Sequence, residues 1–373
     1  MLTELRTNLR TPRRWPGESD RVRARTSDEL DVFEARWPSD AILSSGPSSS
    51  FGWLRAARIA FSESAEVQVL AAECHHRVLA AAALVGVRRG GILRQTPLGS
   101  ELGQPADVAS QDARGLRCLA DALVRSGEPL CFDRLPTNSP SIDAIRNASL
   151  GRAIAIVRPT EPITYLALDE SWIVPERHLL PRERRRLDRV RQRAERIGPV
   201  SIEIHTPDLE ELPRLLDVAF ELHESKCHAT NDHELVLQLG KTLFFRQYAE
   251  AACVSGSLRI CLLRIGDRVA ATQIGVEGDD TFWLLMAEAD PRFARSQPSQ
   301  LLAREVIKYC AEAHLSSYAL WGPKQPWMQA WPVATQPCAA LNVYPLRIRG
   351  LAALGVDGVM AIYRRVTQLA KRR

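Results

Sequence analysis

The spacing of hydrophobic and polar positions switches repeatedly between a period of two and a period near 3.6, which predicts alternating strands and helices. The clearest stretch is 258–331. Leu258–Ile265, 268–276 and 281–288 are β-rich runs separated by Gly266 and Asp267 and then by Gly278, Asp279 and Asp280, so they predict a three-stranded meander. An aperiodic segment, 289–300, follows. Leu302, Val306, Tyr309 and Ala313 then recur at helical spacing. Pro298 suits the first turn of that helix, where a missing N–H leaves nothing unsatisfied. Strand, loop and helix start in this order predict an anion site, because the first N–H groups of a helix have no intrahelical partner.

Upstream, Ser27-Asp-Glu-Leu predicts a helix start after a flexible tail that ends near Thr26. Helices are predicted over 53–61 and 112–126, and strands over 67–72, 77–87, 92–96, 129–135 and 154–157. His75 and His76, and later Gly90 and Gly91, fall in turns. A helix over 181–198, a strand Val200–His205 and a helix over 208–226 come next. Strand, turn, Arg77-Val-Leu-Ala80 and a Gly-rich turn from Val67 are matched from Leu258 by strand, turn, Arg268-Val-Ala-Ala271 and a Gly-containing turn, at a constant offset of 191. That repeat predicts two copies of one α/β unit, split near residue 195.

A chain of 373 residues holds two domains of ordinary size, and 45% hydrophobic with 25% charged residues is a soluble, globular composition. No apolar run approaches the roughly 18 residues of a membrane helix. The first 30 residues are polar and Arg-rich rather than signal-like, so the expected location is cytoplasmic. Eight scattered cysteines without a CxxC pair read as reduced thiols. The net charge of +5 is local: residues 1–25 carry +4 and residues 175–196 carry +5, so the remainder is acidic. That distribution argues against nucleic acid as a partner. The helix over 181–198 sets a narrow stripe of Leu187, Val190, Ala194 and Ile197 under nine arginines counted from residue 175. It reads either as a basic surface for an anionic substrate, coenzyme or lipid, or as a solvated linker.

Motifs for other chemistries are missing. There is no GxSxG elbow and no Walker loop. His223, Cys227, His228, Asp232 and His233 suggest a metal, but histidines five apart on a helix are rotated by about 140° and share no face. No metal is expected. Trp283, Trp321, Trp327 and Trp331 suit either a sugar-stacking cleft or a core.

The segments 183–198, 215–223 and 258–331, and more weakly Leu98-Gly-Ser-Glu-Leu102, together resemble the CelD/BcsL-type acyltransferases of cellulose biosynthesis. These stand within the GCN5-related N-acetyltransferase (GNAT) superfamily, related to the FemAB aminoacyltransferases. The closest matches are Gly266-Asp-Arg-Val-Ala-Ala271, Ala289-Asp-Pro-Arg-Phe-Ala-Arg295 and the helix start after Pro298. The resemblance implies an α/β protein of tandem acetyltransferase-like (GNAT/FemAB-like) domains, each a mixed, mostly antiparallel sheet flanked by helices. It divides the chain into a basic tail (1–26), an N-terminal domain (27–180), a linker helix (181–198), an acyl-CoA-binding domain (199–348) and a C-terminal helix and tail (349–373).

It further implies an acyltransferase with acetyl-CoA or another acyl-CoA as co-substrate. Leu285, Met286 and Ala287 would hold the pantetheine arm. Arg292, Arg295, Ser296, Gln297, Ser299, Gln300 and Leu301 would hold the pyrophosphate. Glu288, Lys324 and His223 are the candidate catalytic groups. The acceptor would be a small molecule or saccharide, such as a cell-envelope precursor. Ala319, Lys324 and Met328 stand where the family places Asp, Asp and Lys, and the 295–300 loop lacks the family's glycines. Two further readings stay open: aminoacyl transfer from charged tRNA, motivated by the arginine helix, and a non-catalytic scaffold, motivated by Ala319 and Met328.

Overall fold

In the computed structural model the described residues are 22–38, 46–61, 66–224, 232–321 and 325–371. The first half forms β1 (Arg23–Ser27), α1 (Phe51–Phe61), β2 (Val67–Cys74), β3 (Arg77–Arg89), β4 (Ile92–Pro97), β5 (Ala109–Ser110), α2 (Ala113–Arg125), β6 (Leu130–Pro136), α3 (Pro140–Ser149) and β7 (Ala153–Ala167). The second half forms α4 (Pro181–Ile197), β8 (Val200–His205), α5 (Leu212–Glu224), α6 (Asp232–Val254), β9 (Leu258–Ile265), β10 (Arg268–Gly278) and β11 (Thr281–Ala289). It continues with α7 (Pro298–Glu312), β12 (Ser317–Leu320), β13 (Ala334–Pro345) and α8 (Ile348–Lys371). Turns of 3₁₀ helix at Asp31–Arg36, Pro291–Ser296 and Pro326–Ala330 connect some of these.

The described strands make one mixed sheet in the order β1-β2-β3-β4-β6-β13-β7-β12-β11-β10-β9-β8, with β5 beside β3. The order is that of two copies that have exchanged their last strands. Each copy has a meander (β2-β3-β4 or β9-β10-β11), a helix (α2 or α7) and a strand parallel to the meander's third (β6 or β12). β7 of the first copy pairs with β12 of the second, and β13 of the second inserts between β6 and β7. The offset repeat read from the sequence therefore has a spatial counterpart.

Three apolar clusters hold the layers. The largest joins α1, α5 and α6 to β2, β3 and β9–β11. Gly52 and Gly240 let α1 and α6 approach closely: an added Cβ would lie 2.8 Å from Ala251 Cβ and 2.7 Å from the Phe61 ring, respectively. A second cluster sets α4 and α7 on the other face of β9–β12, and a third sets α2 and α3 on the first copy. Leu187, Val190 and Ala194 of α4 are fully packed in the second cluster. Burying one Leu or Val side chain contributes about 1.5–3 kcal/mol. The helix is a structural layer, and the solvated-linker reading is set aside.

One local expectation fails, and α6 and β13 are among the elements that the sequence pattern did not announce. Over residues 23–27 the expected tail end and the helix start at Ser27 are replaced by β1, which pairs antiparallel with β2 from Arg23↔Glu73 to Ser27↔Val69; residues 1–21 of that tail lie outside the described residues. The edge of β2 offers ladder partners, and Pro38 leaves room only for the 3₁₀ turn Asp31–Arg36 before it. α6 has no one-sided stripe because it is covered by α1 on one flank and contacts α5 and β9 on others. β13 loses its alternation at Cys338 and Ala339, beside register shifts against both of its neighbours, β6 and β7.

Candidate active site

The site begins where β11 leaves its neighbour. β12 pairs with β11 only over 281–284, and the Trp321 N–H closes that ladder on the Leu284 carbonyl at 3.0 Å. On the other side, the β10–β11 register shifts between Ile274 and Gly275, which makes Leu285 the extra residue of a bulge. Beyond it, Asp290 N–H donates to the Ala270 carbonyl at 3.0 Å. Antiparallel alternation then turns the peptide groups of Met286 and Glu288 toward β10 and those of Ala287 and Ala289 toward the side that β12 has vacated. No described strand pairs with that edge.

A cleft of about 770 Å³ follows this edge. Ala287 and Ala289 form one wall, and Gln325, Trp327 and Gln329 of the Pro326–Ala330 turn region form the other. Its floor is the start of α7, and Arg182, Glu183 and Arg186 of α4 reach its rim.

The two copies differ sharply at their helix starts. α2 is capped: the Asp112 carboxylate accepts the Gly115 N–H at 2.6 Å, so a negative group already fills that N-terminus. α7 has no side-chain cap. Gln297 before it is left-handed (φ 40°, ψ 54°), the conformation for which glycine is the usual choice, and strain at such a residue costs about 1–2 kcal/mol. Pro298 has no N–H, so Ser299 offers the first free donor. Gln300 is 3% exposed, lines the cleft, and its Nε2 has no protein partner. Ser296 is fully buried, and its Oγ is likewise unpartnered. A buried donor left unpaired costs about 1–3 kcal/mol. Donors at an uncapped helix start, over a floor of this size, fit a phosphate or pyrophosphate group.

Charge at the rim is tightly held. Glu183 is ion-paired with both Arg182 (3.4 Å) and Arg186 (3.5 Å). The Asp290 carboxylate, nearly buried, takes the Arg292 guanidinium at 2.6 Å and its N–H at 2.8 Å. Those hydrogen bonds hold the Asp290 carboxyl below the usual carboxylate range.

The structure distributes the sequence-derived candidates as follows. Ala287, Gln297, Ser299 and Gln300 line the cleft. Leu285 and Met286 are packed in the core with α5, and Ser296 and Leu301 are buried behind the floor. Arg292 and Arg295 are exposed and do not line the cleft; the first is spent on Asp290, and the carbonyl of the second accepts from Arg193 at 2.6 Å. Glu288 is half-buried and shares the face of Met286 beneath α5, opposite Ala287. His223 lies in the last turn of α5, but its side chain, like all of Lys324, is outside the described residues. Ala319 is buried opposite Trp283, and Met328 is fully buried. Trp283, Trp321 and Trp331 are core residues, whereas Trp327 borders the cleft. The metal candidates at 223–233 also fall largely outside the described residues. Sequence reasoning missed Arg182 and Arg186 as cleft residues, although the stripe on their helix signalled a packed face.

Residues 181–328 match the family model for the acetyltransferase (GNAT) domain. No curated protein matches the chain. Among solved structures it is similar to the C-terminal domain of an Agrobacterium fabrum protein assigned as a lysylphosphatidylglycerol synthetase (TM-score 0.52, 10% identity, 89% of this chain and 95% of that one). It is also similar to a conserved protein of unknown function from Bacteroides thetaiotaomicron VPI-5482 (TM-score 0.54, 13% identity, 85% and 98% covered). FemX gives a TM-score of 0.50 at 10% identity, with 85% and 96% covered. Identities this low establish fold alone. Residues 181–328 are thus similar to a GNAT acetyltransferase domain, and the α/β fold around them is shared with FemX.

Proposed function

We propose that this protein transfers an acyl group from acyl-CoA, acetyl-CoA in the simplest case, to an amine or hydroxyl by direct attack in a ternary complex. The observation that carries this reading is the uncapped start of α7, with the unpartnered Gln300 amide buried beneath the open edge of β11. Ser299 N–H and Gln300 would hold the pyrophosphate, and Arg182 and Arg186 would neutralise it. The peptide groups of Ala287 and Ala289 would bind the pantetheine amides as an added strand. The acceptor nitrogen or oxygen attacks the thioester carbonyl, the carbon–sulfur bond breaks, and the acceptor's proton passes to a base and ends on the thiol. Glu288, on the α5 side of the sheet, is one candidate base, and His223 is the other. Lys324, just past β12, is the candidate donor to the developing oxyanion. We assign the acceptor to a saccharide or envelope precursor, for which Trp327 supplies an aromatic face.

Titration calorimetry with acetyl-CoA and CoA tests this. Wild type is expected to bind in the micromolar range. Arg182→Glu with Arg186→Glu should weaken binding at least about tenfold, each exposed charge contributing on the order of 1 kcal/mol. Glu183→Gln should tighten it severalfold, because two guanidinium groups lose their internal partner. No binding by wild type at millimolar ligand would sink the reading.

A second reading, aminoacyl transfer from charged tRNA, rests on the arginines of α4 beside the cleft. It requires the Arg184→Ala, Arg185→Ala, Arg186→Ala variant to lose tRNA binding; unchanged binding would remove it. A chain that binds neither ligand would be a scaffold.

A further inference from the structure

Over residues 348–360, α8 is anchored on one side and exposed on the other. On the anchored side, Ala353 is fully buried and Asp357 accepts from Tyr344 Oη at 2.6 Å and from the Arg94 guanidinium. On the other side, Ile348, Leu351 and Val359 are 88%, 50% and 67% exposed. In the sequence the same spacing runs on through Ile362, Val366 and Leu369. At 100° per residue these six positions fall within an arc of about 80°. At the root of the helix the patch continues: Leu346, whose N–H donates to the Arg152 carbonyl, is 53% exposed, and Leu150 is 76% exposed. Single exposed apolar residues are ordinary, but several gathered along one face of one helix mark an interaction surface.

The charge of the same helix identifies the occupant. Residues 358–373 contain Arg364, Arg365, Lys371, Arg372 and Arg373 and no acidic residue. A second copy docked along the stripe would oppose like charges, whereas an anionic surface complements them. An apolar stripe combined with a basic end is the pattern of a helix that lies in a membrane interface. No helix among the described residues is long and apolar enough to cross a membrane, so such contact is lateral.

We propose that α8 seats the protein on an anionic membrane surface, with Ile348, Leu351 and Val359 in the headgroup–acyl boundary and the basic end against lipid phosphates. This inference is independent of the acyl donor. It is tested with the full chain by co-sedimentation with vesicles of phosphatidylcholine alone and of phosphatidylcholine mixed with phosphatidylglycerol. Wild type is expected to bind the mixed vesicles and to be released by salt. Ile348→Asp, Leu351→Asp and Val359→Asp together should abolish binding while leaving circular dichroism unchanged, since all three side chains are exposed. Each basic residue at an anionic surface is worth about a fivefold factor, so Arg364→Glu with Arg365→Glu should weaken binding at least about twenty-five-fold. The proposal is overturned if wild type does not bind the mixed vesicles, or if the triple variant binds as well as wild type. It is equally overturned if wild type is a dimer without vesicle affinity that the triple variant dissociates.

Discussion

Gln300→Glu is expected to weaken acetyl-CoA binding at least about a hundredfold while leaving the fold intact. The exchange is isosteric and replaces one donor by a carboxylate oxygen. Gln300 is 3% exposed on the cleft floor, so solvent screens it little. A carboxylate facing a pyrophosphate there is a like-charge contact, which costs several kcal/mol. The fold should tolerate it, because an acidic group near a helix start gains about 0.3–1 kcal/mol from the helix dipole. The first copy already shows the arrangement: Asp112 occupies the start of α2 and accepts the Gly115 N–H. Gln300→Leu, which removes the donor without adding charge, should cost far less, about tenfold. Burial favours the neutral form of the introduced carboxyl, so affinity should recover as pH falls through its raised pKa. Calorimetry on both variants across pH separates the cases. Equal losses for Leu and Glu would mean that Gln300 does not face the phosphates.

Much of this site was legible in the sequence, for local reasons. The meander of the second copy announces itself through period-two runs and Gly/Asp turns, and Pro298 marks the start of α7. What the sequence could not supply was partner choice across the chain. Arg292 looks like a phosphate ligand in isolation, yet Asp290, two residues earlier, caps the intervening turn and claims its guanidinium. The Asp-Pro-Arg order held that signal, since Asp ahead of Pro is a strong cap. Arg182 and Arg186 became cleft residues only because Leu187 and Val190 seat α4 on α7 and the sheet. The exchange of β7 and β13 has no local signature: nothing within either strand's own sequence names its neighbour. Only the assembled sheet selects between them.

The junction of α8 with that exchanged sheet sets the second large expectation. Asp357→Ala should destabilise the protein by about 3 kcal/mol. Arg94 of β4 is 2% exposed, and its guanidinium meets Asp357 of α8, the Ala353 carbonyl at 3.3 Å and, through Asp357, Tyr344 of β13. Removing the carboxylate strands a buried cation whose Nε already lacks a partner. Breaking such a pair costs about 3–5 kcal/mol, and partial exposure of Asp357 favours the lower end. Replacing both ends, as Arg94→Met with Asp357→Leu, should cost less than Asp357→Ala alone, because no charge is then left unpaired. Burial by itself would raise the Asp357 carboxyl, but the hydrogen bonds from Arg94 and Tyr344 outweigh it and hold the pKa below its ordinary value. A depressed carboxyl contributes stability that is complete above its unfolded pKa of about 3.9 and is lost as pH falls through the folded value. Wild type should therefore lose this increment on acidification, while the Asp357→Ala variant has none to lose. Urea midpoints of the two proteins should converge toward low pH, with amide exchange in α8 accelerating in wild type over the same range. Parallel curves down to strong acid would show that packing of Ala353, rather than the ion pair, holds α8 to the sheet.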